Sequence, residues 1–254
     1  MHLSDVSWTD ADAAGTDLAV LPVGSTEQHG PHAPLGTDAL AAEAVADRGT
    51  DRYDGEVVVA PTVPVGVAEE HRHFAGTLWV SEGTFRAYVR ETVASLAGHG
   101  WDRVVLVNGH GGNVAPLREA CARLTRDGVA YAVPFTWFDA VDPGDIEALD
   151  GGVGMGHGGP LETSFVRALD PDLVDPDRFA EAAADGADGW GEWQSGTNLA
   201  YDSAEFTDSG VVGDPGESSE AAGEQLLAAA GEALADLLDA VARREVPAAT
   251  DDEN

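Results

Sequence analysis

Residues 18–38 read LAVLPVGSTEQHGPHAPLGTD. The first seven, LAVLPVG, are an unbroken apolar run, the pattern of a strand covered on both faces of a sheet. The rest is a polar loop that holds Glu27, His29, His32 and Asp38. Similar runs recur along the chain. EVVVAPTVPVG (56–66), RVVLVNG (103–109) and VAYAVPF (129–135) predict three more strands. Helices are predicted between them at DALAAEAVADRG (38–49), EGTFRAYVRETVASLAGHG (82–100) and NVAPLREACARLTRDG (113–128). Thr37 or Asp38 is suited to cap the first of these. Short strands alternating with helices of this length predict an α/β fold with a mostly parallel sheet covered on both faces.

The C-terminal third reads differently. SSEAAGEQLLAAAGEALADLLDAVARRE (218–245) predicts a long helix, with Leu227, Leu234 and Val241 at seven-residue spacing. Residues 171–218 are rich in Asp, Gly and Trp and lack an apolar period, so they read as an irregular excursion or lid. A single domain over 1–245 is expected, followed by a flexible tail over 246–254.

Composition narrows the setting. The 254 residues carry 46 acidic and 13 basic side chains, a net charge of −33, and every basic residue is arginine. The acids are spread along the chain, as expected for a surface solvated in concentrated salt, where counterions screen self-repulsion. That points to a halophilic source. A surface of this sign repels nucleic acid. No apolar run approaches the roughly 18 residues of a membrane span. The opening MHLSDVSWTDADAAG has no basic-then-apolar leader pattern, and Cys121 is the only cysteine, so a cytoplasmic protein is expected.

In an open parallel sheet, sites form beyond the C-terminal ends of the strands. Glu27 and His29 follow the first strand, and His110 follows the third in NGHGGN. His157 and Glu162 lie in GMGHGGPLETS, ahead of another helix. Imidazole and carboxylate without thiolate suit a hydrolytic pair of divalent ions such as Zn, Mn or Fe. Each residue alone has a plainer reading. Glu27 reads as a solvated loop carboxylate, Asp38 as a cap, and the histidines as ordinary loop residues. Their joint placement at strand ends favours the metal site.

The blocks GSTEQHGPHAPLGTD (24–38), EEHRHFAGTL (69–78), VLVNGHGGN (105–113), GHGGPLETS (156–164) and GVVGDP (210–215) resemble the creatininase family of metal-dependent amidohydrolases, in the family's order. The resemblance implies a three-layer α/β/α sandwich, two divalent metal ions and a homo-oligomer, often a hexamer. It implies hydrolysis of a non-peptide C–N amide bond by a metal-activated water. Substrates in such a family include creatinine, a formylamino-pyrimidine nucleotide of flavin or deazaflavin biosynthesis, and the mycofactocin peptide. Carried over by motif, Glu27 and His110 resemble ligands of one metal, His29 a ligand of the other, and Asp38 the bridging carboxylate. His157 resembles the histidine that assists proton transfer, and His157 or Glu162 is expected to move a proton to the leaving nitrogen. One position departs from the creatinine-cleaving pattern. The glutamate expected two residues after the NGH histidine is Gly112 here, and Glu162 is the candidate replacement.

Substrate contacts are expected from Trp137, Trp190 or Trp193, as a wall for a flat heterocycle, and from His71, on its own chain or a neighbouring one. His32 is expected to orient a ligand. A rival class is a dinucleotide-binding protein, because GMGHGG (154–159) fits G-x-G-x-x-G. DIEALDGGV before it is not an apolar strand, and the chain has no lysine for a triphosphate loop.

Overall fold

A computed structural model describes residues 1–149 and 154–245. The elements in order are α1 (Trp8–Asp12), β1 (Leu18–Val23), α2 (Thr37–Arg52), β2 (Val58–Val59), α3 (Glu82–Gly98), β3 (Arg103–Asn108), α4 (Val114–Arg126) and β4 (Tyr131–Thr136). There follow α5 (Trp137–Ala140), α6 (Pro160–Leu169), α7 (Phe179–Ala184), β5 (Trp193–Gln194), β6 (Thr197–Asn198) and α8 (Glu220–Arg243). The tail expected over 246–254 lies outside the described residues.

The main sheet is parallel, in the order β2-β1-β3-β4, with Val20 level with Val105 and Val105 with Val133. Every residue of β1 is buried. Successive side chains of a strand point to opposite faces, and the two cores follow that rule. Leu18 and Val20 of β1 join Val105 and Val107 of β3 in a core closed by α2, α6 and α8. Ala19, Leu21 and Val23 join Val104 and Leu106 in a second core under α3 and α4. The result is a three-layer α/β/α sandwich.

One expectation needs correction. The strand read over 56–66 is paired only at Val58–Val59. Pro22 gives its carbonyl to the Val63 amide at 2.9 Å but has no N–H to return to that edge. The ladder stops there and resumes as a single bridge between Val23 and Val63. Pro61 and Pro64 prevent the run from continuing as a ladder. In α8, Leu226, Ala230, Leu234, Leu238 and Val241 are buried in the core, and Leu227 packs partly buried against it. The buried positions step by four and three, as a packed 3.6-residue period requires. Ser219 caps this helix by accepting the Ala222 amide.

Residues 171–218 hold α7, the β5–β6 hairpin and short 3-10 turns. Gln28 Nε2 donates to the Gly210 carbonyl at 2.9 Å, and an Arg72–Asp202 ion pair of 2.7 Å joins this segment to the loop after β2. Among the described residues, no helix is long and apolar enough to cross a membrane.

Candidate metal centre

The site forms at the C-terminal ends of β1 and β3. Glycine allows the approach. A Cβ at Gly24 would fall 2.4 Å from the Ala39 backbone, and one at Gly109 would fall 2.1 Å from the Asp38 carbonyl. The N-terminus of α2 therefore comes down against both strand ends, and Asp38 enters the gap. Asp38 is not a cap. Gly36 occupies the N-cap position and no side chain caps the helix.

Asp38 lies between two histidines, with Oδ1 3.1 Å from His29 Nε2 and Oδ2 3.3 Å from His110 Nδ1. Glu27 Oε1 is 3.1 Å from His110 Nδ1. On the far side, Glu162 Oε2 is 3.6 Å from His29 Nε2 and accepts the Gly158 amide at 2.6 Å. The donor atoms form three buried triads, Glu27–Asp38–His110, His29–His157–Glu162 and Glu27–His71–His157. Thus β1 supplies Glu27 and His29 through its loop, α2 supplies Asp38, β3 supplies His110, and the first turn of α6 supplies Glu162.

The rings are oriented by main-chain carbonyls. His29 Nδ1–H donates to Glu27 O at 3.2 Å, His110 Nε2–H to Val67 O at 2.6 Å, and His157 Nε2–H to Gln28 O at 2.6 Å. Each bond fixes one ring proton and turns the opposite nitrogen toward the carboxylates. Four atoms in this space, Glu27 Oε1, Glu27 Oε2, Asp38 Oδ2 and His29 Nε2, are buried without a hydrogen-bond partner. Native proteins rarely bury such groups unpaired. Acceptors that converge on acceptors fit cations between them, and this donor set of carboxylate and imidazole suits Zn, Mn or Fe.

Without ions the cluster is electrostatically strained. Burial alone would lower the His29 and His110 pKa values. Asp38 and Glu162 outweigh it at His29 and lift that ring to about 10, and Glu27 and Asp38 raise His110 well above its usual value. Burial pushes Glu27 up, against the pull of His110. Burial also lifts Glu162 to about 7, opposed by His29. Asp38 is held below the carboxylate range because its histidines overcome its burial. Burial and the neighbouring His71 keep His157 neutral.

A cavity of about 770 Å³ opens over the cluster, with His71, His110, His157, Glu162 and Trp190 in its lining. The Trp190 ring meets His71 and His157 edge-on, at 5.6 and 5.9 Å between centroids.

The sequence profile of creatininase, described as creatinine amidohydrolase, matches residues 4–238. The chain belongs to the creatininase family. It is 35% identical over 216 residues to the mycofactocin precursor peptide peptidase of Mycolicibacterium smegmatis, covering 83% of this chain and 80% of that protein. It is 33% identical over 201 residues to the creatinine amidohydrolase of Pseudomonas putida, covering 71% and 76%. A mutant creatininase of Zn–Zn type superposes with a TM-score of 0.82 at 28% identity, over 96% of this chain and 98% of that one. A manganese creatininase gives 0.80 at 27% identity, over 96% and 99%.

Against this creatininase-family background, the sequence candidates fall into three groups. Glu27, His29, Asp38, His110, His157 and Glu162 come together. His71 joins them from its own chain, with Nε2 3.5 Å from Glu27 Oε1 and its ring stacked on His157 at 4.3 Å. His32 stands behind, its Nε2 2.9 Å from Thr163 Oγ1, one residue after Glu162. Trp137 does not reach the cavity. It is 1% exposed and packs against Phe165 in the core, because α5 turns it inward directly after β4. Trp190 lines the cavity in its place, and Trp193 is exposed. The glycine-rich GMGHGG segment carries His157 into the cluster, which leaves no role for it as a dinucleotide loop.

Sequence reasoning missed Gln28, Ser203 and Glu70. Gln28 lies inside the opening motif and bonds His71, while Ser203 approaches His71 from the 171–218 segment. Glu70 lines the cavity beside Gly112, where a Cβ would fall 2.8 Å from its Oε1 and 2.1 Å from the Val67 carbonyl. Any side chain at position 112 is excluded here. The adjacency of Glu70 to His71 was the only signal for it.

Proposed function

We propose that this chain is a metal-dependent amidohydrolase that cleaves a non-peptide C–N amide bond. Glu27, Asp38 and His110 would hold one divalent ion; His29, Asp38 and Glu162 would hold the other. The observation that carries this reading is the convergence of four unpartnered buried atoms of Glu27, Asp38 and His29. Glu162 then takes the place of the carboxylate that Gly112 lacks. When bound, the ions supply Lewis-acid polarisation of the amide carbonyl and a lowered water pKa.

The chain's residues supply the proton path. His157 is neutral, and its Nε2–H is fixed on the Gln28 carbonyl. Its bare Nδ1 accepts a proton from the attacking water and returns it to the leaving nitrogen. Such help is worth roughly 10²–10⁴-fold. Trp190 covers the cavity and limits entry of bulk water.

The wall chemistry bears on the substrate. Glu70, Asp188, Asp214 and Glu217 line the cavity, and among the described lining residues there is no arginine. That supports a cyclic or peptide-derived amide over a phosphorylated formylamino-pyrimidine, whose phosphate these carboxylates would repel. Relatives named as a peptide peptidase and a creatinine amidohydrolase agree with this choice. We further infer a single domain in which 171–218 acts as a lid, a cytoplasmic setting in concentrated salt, and a homo-oligomer that covers exposed Leu78 and Tyr201.

The test is elemental analysis of protein purified in high salt, beside His110→Ala. About two equivalents of transition metal per chain are expected for the wild type, with metal and amide hydrolysis lost together in the variant. A wild type without metal, or a variant with the full complement, overturns the assignment.

A further inference from the structure

Three of the four clustered imidazoles obey one rule. His29, His110 and His157 each give an N–H to a main-chain carbonyl and turn the other nitrogen to the carboxylates. His71 breaks the rule. Its Nδ1 faces away from the cluster, 2.8 Å from Gln28 Nε2 and 3.0 Å from Ser203 Oγ. The orientation of the Gln28 amide is fixed by two other bonds. Its Oε1 accepts the Gly30 amide at 2.9 Å, and its Nε2 donates to the Gly210 carbonyl at 2.9 Å. A flipped amide would set oxygen against oxygen and N–H against N–H.

The second Nε2 hydrogen of Gln28 therefore goes to His71 Nδ1, which must accept it. The Ser203 hydroxyl has the Glu70 carbonyl at 3.0 Å as its own acceptor, so it does not compete for that lone pair. An imidazolium at His71 would press an N–H against the Gln28 amide. The neutral ring carries its one proton on Nε2, the nitrogen that faces Glu27 Oε1 at 3.5 Å.

We infer that His71 is a positioning residue, whose Nε2–H steadies the Glu27 carboxylate and closes the Glu27–His71–His157 space to a cation. By composition that space resembles the other two triads, since its three ligand atoms also lie within 4.8 Å of one another. The tautomer distinguishes it. A protonated nitrogen has no lone pair to give a metal. Gln28, placed between two ligand residues in sequence, thereby sets the metal count at two. This deepens the two-metal reading and rests on it for the role of Glu27, but the tautomer is a property of the metal-free chain.

The experiment is a long-range ¹H–¹⁵N spectrum of the full-length protein at molar salt, metal-free and zinc-loaded, with a calorimetric zinc titration. His71 should show a protonated Nε2 and a bare Nδ1 in both states, while the His29 and His110 signals move on loading. A bare Nε2, or zinc on His71, overturns the inference. Gln28→Glu replaces the amide donor with an acceptor. It should move the ring proton to Nδ1 and admit a third equivalent of zinc; an unchanged tautomer in the folded variant refutes the role of Gln28. Should that variant fail to fold, His71→Gln and His71→Ala decide. The first keeps a donor and should hold zinc near wild-type affinity, and the second should weaken one of two sites about tenfold. Equal affinity in both variants and the wild type overturns positioning. A wild type that takes up no zinc defeats the metal reading alone, and the spectrum still decides the tautomer.

Discussion

The loop after β1 brings Glu27 and His29 to the cluster beneath the cavity and the segment 171–218 lines the cavity itself, yet they are built on opposite terms. The first is short and buried, and it fixes Glu27 and His29 by main-chain bonds. The second is long and acid-rich, and it presents Trp190, 37% exposed, on edge-on contacts with the rings of His71, His157 and Phe206. Side chains that are to hold a metal must be fixed within fractions of an ångström, which suits rigid strand ends. A wall that admits substrate has to yield, so it is drawn from the less stable parts of a fold. The contrast predicts that changes in the first region act on turnover and metal, while changes in the second act on substrate affinity.

His157 offers the hardest test, because it joins the two. Its ring is fixed by Gln28, and its backbone pairs with Val212 in both directions, at 3.1 and 2.8 Å. His157→Ala should retain about two metal equivalents and lose roughly 10²–10⁴-fold in kcat, the usual worth of a positioned acid–base group. Metal analysis beside steady-state kinetics checks it. Unchanged kcat would remove His157 from the proton path and leave it as a hinge between the regions.

Trp190→Ala should sharpen the contrast from the other side. Its loss removes an aromatic face of the cavity lining, whose contact with a substrate ring would be worth about 0.5–1.5 kcal/mol, so KM should rise up to about tenfold. Metal content and kcat should stay near wild type. A variant that instead lost metal would show that the wall and the ligand cluster are one cooperative unit.

How much of this was legible in the sequence follows the same divide. Glu27, His29, Asp38 and His110 stood out because a metal needs particular residue types, and strand ends put them at readable places. β1 and β3 read correctly because central strands are apolar on both faces. The 56–66 run did not, because Pro22, on a different strand, ends the pairing. Trp137 and Trp190 look alike in sequence; only the turn from β4 into α5 sends one to the core. Gln28 and Ser203 carried no signal, since neutral hydrogen-bonding residues acquire their role from partners far along the chain, 43 and 132 positions away from His71 respectively.

A pH effect of intermediate size separates packing behind the cluster from chemistry within it. Burial, followed by repulsion from His29, depresses the His32 pKa to about 4 from its usual 6.5. The folded form therefore keeps His32 neutral at pH values where the unfolded chain already takes up a proton. Stability should fall as pH drops from about 6.5 to about 4, with no further loss from this group below that. Denaturant midpoints of metal-free wild type and His32→Gln across this window check the sign. A wild-type curve no steeper than the variant's would mean that His32 is not held neutral.

The smallest effect belongs to the tie between the segment 171–218 and the loop after β2. Arg72 Nη2 and Asp202 Oδ2 are 2.7 Å apart, with Arg72 nearly half exposed. An ion pair of this exposure contributes only about 0–1 kcal/mol, and salt weakens it further. Asp202 also faces His73 Nε2 at 3.3 Å, so it keeps a partner when Arg72 is removed. Arg72→Ala should therefore leave metal content and the thermal midpoint almost unchanged at molar salt. Limited proteolysis within 186–210 should nevertheless quicken by a few fold, and more so as salt is lowered, because this pair holds the long segment to the loop that carries His71. Equal cleavage at every salt concentration would place the hold on the Gln28–Gly210 and Ser203–Glu70 hydrogen bonds instead, which do not depend on ionic screening. In that case the wall would be fastened by the same glutamine that orients His71, and the two regions would differ in exposure but not in what anchors them.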